Sequence, residues 1–316
     1  MRYLVTGGAG FIGSHTVDEL VCRGHEVVAL DDVSTGKTTN LAQAKNKIKF
    51  IQSSVANLEA VREACRGVDR VIHLAAQTSV PRSLQDPIET NLVNVNGTLN
   101  VLVAARDAGV KRVVFACSCA VYGKTSALPI PEGAPLEPIS PYGLSKQFGE
   151  AYGRVFQKMY GLEFVSLRYF NVFGPRQDPG SPYSGVLSLF NSALLGGSQP
   201  LIYGDGEQSR DFVYVENVVH ANLLAAETKK ADGLAINIGT GIRYTLNQTL
   251  SLLEKISGRP SRAKYAVPRE GDIRDSQADI GLARKALGYQ PSVSFEEGLK
   301  RTWEWFYTSQ NAGSCT

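Results

Sequence analysis

Cysteine is scarce and unpatterned in this chain. Its five residues, Cys22, Cys65, Cys117, Cys119 and Cys315, form no C-x-x-C pair. An odd count at scattered spacing argues against a disulfide framework and for reduced thiols, as in a cytoplasmic protein. Four histidines are too few for a His-rich cluster, so no metal is expected. A formal charge of +3 is too small an excess for a nucleic-acid or membrane surface. No apolar run reaches the ~18 residues that span a bilayer, and no repeat or low-complexity tract is present. The opening M-R-Y-L-V-T-G-G enters a strand at once, so no signal peptide is expected. What remains is globular material, 43% hydrophobic and 20% charged over 316 residues, enough for one large domain or two smaller ones.

The first half alternates β-branched runs with helical patterns. Strands are expected at Arg2–Val5, Glu26–Leu30, Arg70–Leu74, Arg112–Ala116 and Glu163–Tyr169. Helices are expected at Ile12–Arg23, Leu58–Cys65, Pro87–Ala108 and Pro141–Tyr160. Mostly apolar strands alternating with helices predict an α/β fold, a Rossmann-type doubly wound parallel sheet covered on both faces. After Asn171 the pattern loosens and Gly and Pro become frequent. That part reads as a smaller α/β substrate-binding domain, ending in a helix at Phe295–Tyr307. The division is 1–170 for the dinucleotide domain and 171–316 mainly for substrate. Segments near Phe212–Val215 and Ala235–Ile238 are expected to return to the main sheet.

Between the first strand and the first helix lies T-G-G-A-G-F-I-G, Thr6–Gly13. Gly7, Gly10 and Gly13 allow a tight turn and a close backbone approach to a pyrophosphate. The helix behind them, entered through Phe11 and Ile12, turns free N–H groups and partial positive charge toward the phosphates. A glycine motif alone is weak; this one stands in the strand–turn–helix context it needs. Asp31 and Asp32 follow the second strand, roughly 20 residues on, where an acid grips a ribose 2′-hydroxyl. A carboxylate there repels a 2′-phosphate, which favours NAD over NADP. The plain alternative for both acids is a solvated loop.

Tyr142 and Lys146 form Y-x-x-x-K at the start of the fourth helix. Residues four apart share a helix face, so phenol and ammonium act on one spot. A free phenol, with a pKa near ~10, is a poor base at neutral pH. A nearby ammonium and an oxidised nicotinamide both favour the phenolate. Ser118 lies within F-A-C-S-C-A-V-Y-G (Phe115–Gly123) at the carboxyl edge of the sheet, positioned to hydrogen-bond a reacting oxygen and the phenol. The alternative for Ser118 is a local backbone bond.

Together with Thr6–Gly13, the segments H-L-A-A (His73–Ala76), S-C-A-V-Y-G (Ser118–Gly123), S-P-Y-G-L-S-K (Ser140–Lys146) and R-Y-F-N-V-F-G-P (Arg168–Pro175) resemble the extended short-chain dehydrogenase/reductase family. G-D-G-E-Q-S-R-D-F-V-Y-V (Gly204–Val215) and R-E-G-D-I-R-D-S (Arg269–Ser276) resemble its UDP-hexose 4-epimerases. The likeness runs nearly the whole chain in order. It implies NAD held by Gly7, Gly10, Phe11, Ile12, Gly13, Asp31, Asp32, Ala75, Tyr142 and Lys146. It implies Ser118, Tyr142 and Lys146 as catalytic residues. Asn171 would contact the sugar diphosphate, Tyr203 the uracil, Arg210 and Arg269 the phosphates, and Asp272 the nucleoside. Thr78, Ser118, Tyr142, Asn171, Gly185 and Ser276 would frame the hexose. A homodimer is also implied, built on Pro87–Ala108 and Pro141–Tyr160, with Leu99, Val101, Leu102, Phe148 and Val155 serving either core or interface.

The chain departs from its relatives in two places. Ser53-Ser54 stands where many carry Gly-Asp against adenine, leaving Ser54 as the weaker contact. Cys117 and Cys119 flank the catalytic serine, where packing roles are expected. The implied reaction is 4-epimerisation of UDP-glucose/UDP-galactose through a 4-keto intermediate. Ser276 replaces a tyrosine of some relatives, and the space it leaves extends the reading to UDP-GlcNAc/UDP-GalNAc. Dehydratases carry Asp-Glu after the catalytic hydroxyl and UDP-glucuronate decarboxylases a Glu; here Cys119-Ala120 stands instead. The alternatives are a nucleotide-sugar dehydratase, a UDP-glucuronate epimerase/decarboxylase, and a non-catalytic NAD-sensing module.

Overall fold

The computed structural model describes residues 1–178, 185–268 and 273–313, with side chains to residue 309. Its centre is a seven-stranded sheet, parallel throughout. In chain order the first six strands are β1 (Arg2–Thr6), β2 (Glu26–Asp31), β3 (Ile48–Gln52), β4 (Arg70–His73), β5 (Arg112–Ser118) and β6 (Glu163–Tyr169). In space the order is Ala235–Ile238, β6, β5, β4, β1, β2, β3. The order reverses between β1 and β4, and such a switch point opens a crevice at the carboxyl ends of the strands. The central strands are buried on both faces, as their continuous apolar runs require.

The helix Pro141–Tyr160 shows how local sequence sets an element. Ser140 accepts the Gly143 N–H at 3.1 Å as N-cap and Pro141 opens the first turn. Gly161 closes the helix in the left-handed region.

Three expectations are corrected. The edge strand β3 was not foreseen, because Lys49 points outward to Glu63 and breaks the apolar pattern. Pro87–Ala108 is not one regular helix: Pro87–Asn91 passes through a π-helical turn, Leu92–Asn96, into Gly97–Asp107. Asn94 in that turn bonds Gln77 on both its amide atoms and donates to Ser145 Oγ. Of the two returning segments, Ala235–Ile238 does join the sheet beside β6. Phe212–Tyr214 pairs instead with Asn171–Phe173.

Candidate active site

A cleft of about 830 Å³ lies over the carboxyl ends of the strands. The glycine turn forms its floor. A Cβ on Gly13 would stand 1.9 Å from Gly7 O, so the turn packs onto the first helix only without a side chain there. Gly10, the N-cap, supplies no side chain, so the first N–H groups of Phe11–Cys22 are left without a side-chain cap. Asp31 is buried, and its carboxylate accepts Ala9 N–H at 2.9 Å and Val33 N–H at 2.7 Å. It therefore braces the glycine turn as well as facing the cleft. Burial pushes its carboxyl up, and the Val33 and Ala9 N–H groups oppose that shift. Asp32 is exposed at the rim and caps Ser34 N–H.

Gly7, Gly10–Gly13, Asp31, Asp32, Ser54 and Ala75 all line this one cleft. Ser54 Oγ also accepts Ala56 N–H at 3.2 Å. A helix N-terminus, a glycine floor and a carboxylate at the β2 end fit the phosphates and ribose of a dinucleotide.

Farther along, the same cleft meets Ser118, Tyr142 and Lys146. Lys146 is 4% exposed and donates to Ala116 O at 2.8 Å. Burial lowers its ammonium to about 8. Burial also pushes the Tyr142 phenol well up, against a hydrogen bond with Ser118. Nζ sits 6.0 Å from the Tyr142 ring centre. Ser118 Oγ accepts Ala120 N–H at 3.2 Å, the local bond common at strand ends, and keeps its proton to donate.

The two thiols beside it are inert at neutral pH. Burial raises Cys117 to about 12 and Cys119 to about 11. Cys117 Sγ donates weakly to Lys146 O at 3.7 Å, and Cys119 lies against Ser118 and Ser276.

Of the sugar-side residues, Thr78, Asn171 and Gly185 line the cleft. Ser276 is buried beside Cys119 and donates its N–H to Ser209 O. Arg210 Nη1 holds Ser209 O and Arg274 O, and its charge reaches Cys119. Tyr203 lines a separate hollow of about 450 Å³ with Gly204, Gln208 and Arg274. Arg269 and Asp272 lie outside the described residues.

Sequence reasoning missed Lys37, Gln77 and Arg176, which also line the cleft. The signal for Arg176 was its place directly after R-Y-F-N-V-F-G-P. Lys37 had only a glycine before it, and Gln77 none at all.

A doubly wound sheet with a glycine turn at its switch point, and a Ser–Tyr–Lys set at the far end of the cleft, defines a dinucleotide-dependent enzyme of the Rossmann class. Residues 3–239 match the model of the NAD dependent epimerase/dehydratase family. A UDP-glucose 4-epimerase of Mycolicibacterium smegmatis is 41% identical over 310 residues, 97% of this chain and 98% of that one. The crystal structure of a Thermotoga maritima UDP-glucose 4-epimerase with UDP-glucose is 42% identical. It superposes with a TM-score of 0.94 over 98% of this chain and 100% of that one. A UDP-N-acetylglucosamine 4-epimerase of Methanobrevibacter ruminantium, in complex with UDP-N-acetylmuramic acid, is 39% identical with a TM-score of 0.94, covering 98% of each chain. The chain belongs to the NAD dependent epimerase/dehydratase family, and its cofactor is NAD.

Proposed function

We propose that this protein is an NAD-dependent UDP-hexose 4-epimerase, interconverting UDP-glucose and UDP-galactose and also UDP-GlcNAc and UDP-GalNAc. The observation that carries the reading is the meeting of Ser118, Tyr142 and Lys146 in the dinucleotide cleft, with no acid after Ser118. Ala120 has no proton to transfer, and Cys119 with a thiol at about 11 is a poor acid–base group. That argues against the eliminations of dehydratases. The intact catalytic set argues against a module that only senses NAD.

Bound NAD supplies a hydride acceptor and donor at the sugar C4, so that this carbon is oxidised and then re-reduced. Tyr142 Oη takes the proton of the 4-hydroxyl and later returns it. The Lys146 ammonium favours the phenolate that this requires. Ser118 orients the sugar oxygen by hydrogen bonding. Gly7, Gly10, Phe11, Ile12, Gly13, Asp31, Asp32, Ser54 and Ala75 hold the cofactor. Thr78, Asn171, Gly185 and Ser276 frame the hexose, Tyr203 stacks on uracil, and Arg210, with Arg269 and Asp272, binds the rest of the nucleotide. Residues 1–170 carry mainly the cofactor and 171–316 mainly the nucleotide sugar.

The protein works as a homodimer in the cytoplasm. The described cysteines are free thiols, as a reducing compartment keeps them.

Purified protein incubated with UDP-glucose, UDP-GlcNAc and UDP-glucuronate, with products resolved by chromatography, tests this function. The first two should reach their 4-epimers. Tyr142→Phe should lower kcat by ~10²–10⁴ while UDP binding persists. Ser118→Ala should lose less. Turnover of UDP-glucuronate alone, or near-normal activity of Tyr142→Phe, would reject the reading.

A further inference from the structure

Asp211 stands between Arg210 and Phe212 in the G-D-G-E-Q-S-R-D-F-V-Y-V segment and has no part in the chemistry above. Its side chain is fully buried. Oδ1 accepts the N–H and the hydroxyl of Thr240, at 2.8 and 2.7 Å. Oδ2 accepts Gly241 N–H at 2.9 Å and Ala278 N–H at 3.1 Å. A carboxylate offers about four lone-pair sites, and these donors fill them. No cation stands among the partners; N–H groups and a hydroxyl hold the charge instead. Burial pushes the carboxyl up, and the same bonds, led by Thr240 N–H, oppose that shift.

The partners come from segments that border the catalytic end. Ala278 closely follows Ser276, which lies against Cys119. Thr240 and Gly241 follow Ala235–Ile238, the strand beside β6. A Cβ on the intervening Gly239 would stand 2.8 Å from Asp211 Oδ2, so that loop passes directly over the carboxylate. The Asp211 main chain holds a third segment. Its O accepts Asn171 N–H at 3.0 Å and Asn171 Nδ2 at 3.4 Å. Asn171 and Phe212 line the cleft. Just before Asp211, Ser209–Arg210 pairs with Tyr244–Thr245, and Ser209 O takes Ser276 N–H. The knot therefore lies directly behind the wall that carries Arg210, Asn171 and Ser276.

We propose that Asp211 is the positioning residue of the sugar end: it fixes Arg210, Asn171 and Ser276 relative to one another and touches no substrate itself. This rests on the nucleotide-sugar reading of those three side chains. The site demands a carboxylate, because every partner donates. An amide would turn its NH2 onto a backbone N–H in either orientation, toward Thr240 or toward Gly241 and Ala278.

The test measures kcat and KM for UDP-glucose, the affinity for UDP and the retention of NAD in purified Asp211→Asn holoenzyme. Loss of charge-assisted bonds between the wall segments should raise KM and the Kd for UDP about ten- to a hundredfold. kcat should stay within about threefold, because the binding lost is shared by ground and transition states. NAD retention should stay within about twofold, which also reports that the cofactor side is folded. Thr240→Val keeps the Thr240 N–H and removes only the hydroxyl, and so guards against a folding defect. It should raise KM about threefold. A KM within about twofold of wild type in Asp211→Asn would overturn the proposal, whatever that variant loses in stability. If Asp211→Asn does not fold, the same result in Thr240→Val would overturn it. So would NAD lost in step with UDP, which would make Asp211 a general prop of the fold. A fall in kcat at unchanged KM would overturn it too. A wild type that neither binds UDP nor turns over UDP-glucose would instead overturn the nucleotide-sugar reading, and this one with it.

Discussion

The ammonium of Lys146 is held in a place that opposes its charge. In the folded protein its pKa falls to about 8, whereas an unfolded lysine titrates near ~10.4. Below pH 8 the group is protonated in both states and the full burial penalty applies. Between pH 8 and about 10.4 the folded state loses its proton first, so stability rises with pH. The displacement corresponds to roughly 3 kcal/mol. Losing the bond to Ala116 O offsets about 1 kcal/mol of that. Lys146→Met should therefore stabilise NAD-stripped protein by roughly 2 kcal/mol at pH 7, while turnover collapses. Urea unfolding at pH 7 and pH 10 is the check, and the gain should shrink at the higher pH. An equal gain at both would contradict the burial argument. A second residue, Ser276, is buried against Cys119. Ser276→Tyr adds a ring where the acetamido group would sit, and overpacking costs ~1–3 kcal/mol. We expect a roughly ten- to hundredfold loss of kcat/KM on UDP-GlcNAc, with UDP-glucose largely spared. A uniform loss on both would remove Ser276 from the sugar pocket.

The helix Pro141–Tyr160 carries Tyr142, Lys146 and Glu150 at intervals of four, so one face holds both chemistry and anchor. Glu150 is 1% exposed and takes two bonds from Arg168 of β6, at 2.9 and 2.7 Å, and a third from Ser166. Arg168 continues to Tyr122 Oη at 2.8 Å, and Tyr122 donates to Asn237. These bonds dock the helix on the sheet and so set where Tyr142 stands. Glu150→Ala would leave the guanidinium buried and unpaired, a loss of about 3–5 kcal/mol in unfolding free energy. Replacing both partners, Glu150→Leu with Arg168→Met, should bring stability back near wild type in the same denaturation experiment. A mild effect of Glu150→Ala would mean that the pair holds little. The face of the helix was legible from spacing alone. Its partner was not, because Arg168 lies on another element and nothing local marks which carboxylate it meets. The π-helical turn at Leu92–Asn96 escaped for the same reason: Asn94 is held by Gln77 and Ser145, both distant in sequence.

On the surface of the whole molecule, large apolar side chains stand out on neighbouring helices. Ile88 is 82% exposed, Phe148 47% and Val155 51%. Val101 and Leu102, equally apolar by sequence, are fully buried in the core. A row of exposed apolar groups on Pro87–Asn91 and Pro141–Tyr160 suits a helical interface with a second copy. Light scattering should give twice the chain mass, and Phe148→Glu with Val155→Glu should give a monomer that still binds NAD. A monomeric wild type at micromolar concentration would refute this. The sorting of apolar residues into core and surface marks the limit of the sequence. By itself it determined the parallel α/β alternation, the glycine turn, the acids at the end of β2 and the Y-x-x-x-K face. Each of these depends on backbone sterics or periodicity within a short window. Only the tertiary structure decided that Phe212–Tyr214 leaves the main sheet for Asn171–Phe173, and that Cys119 meets Ser276 across about half the chain. It alone placed Arg176 on the first helix. Those contacts join segments far apart in sequence, and which of many similar side chains meet is settled by how whole elements pack.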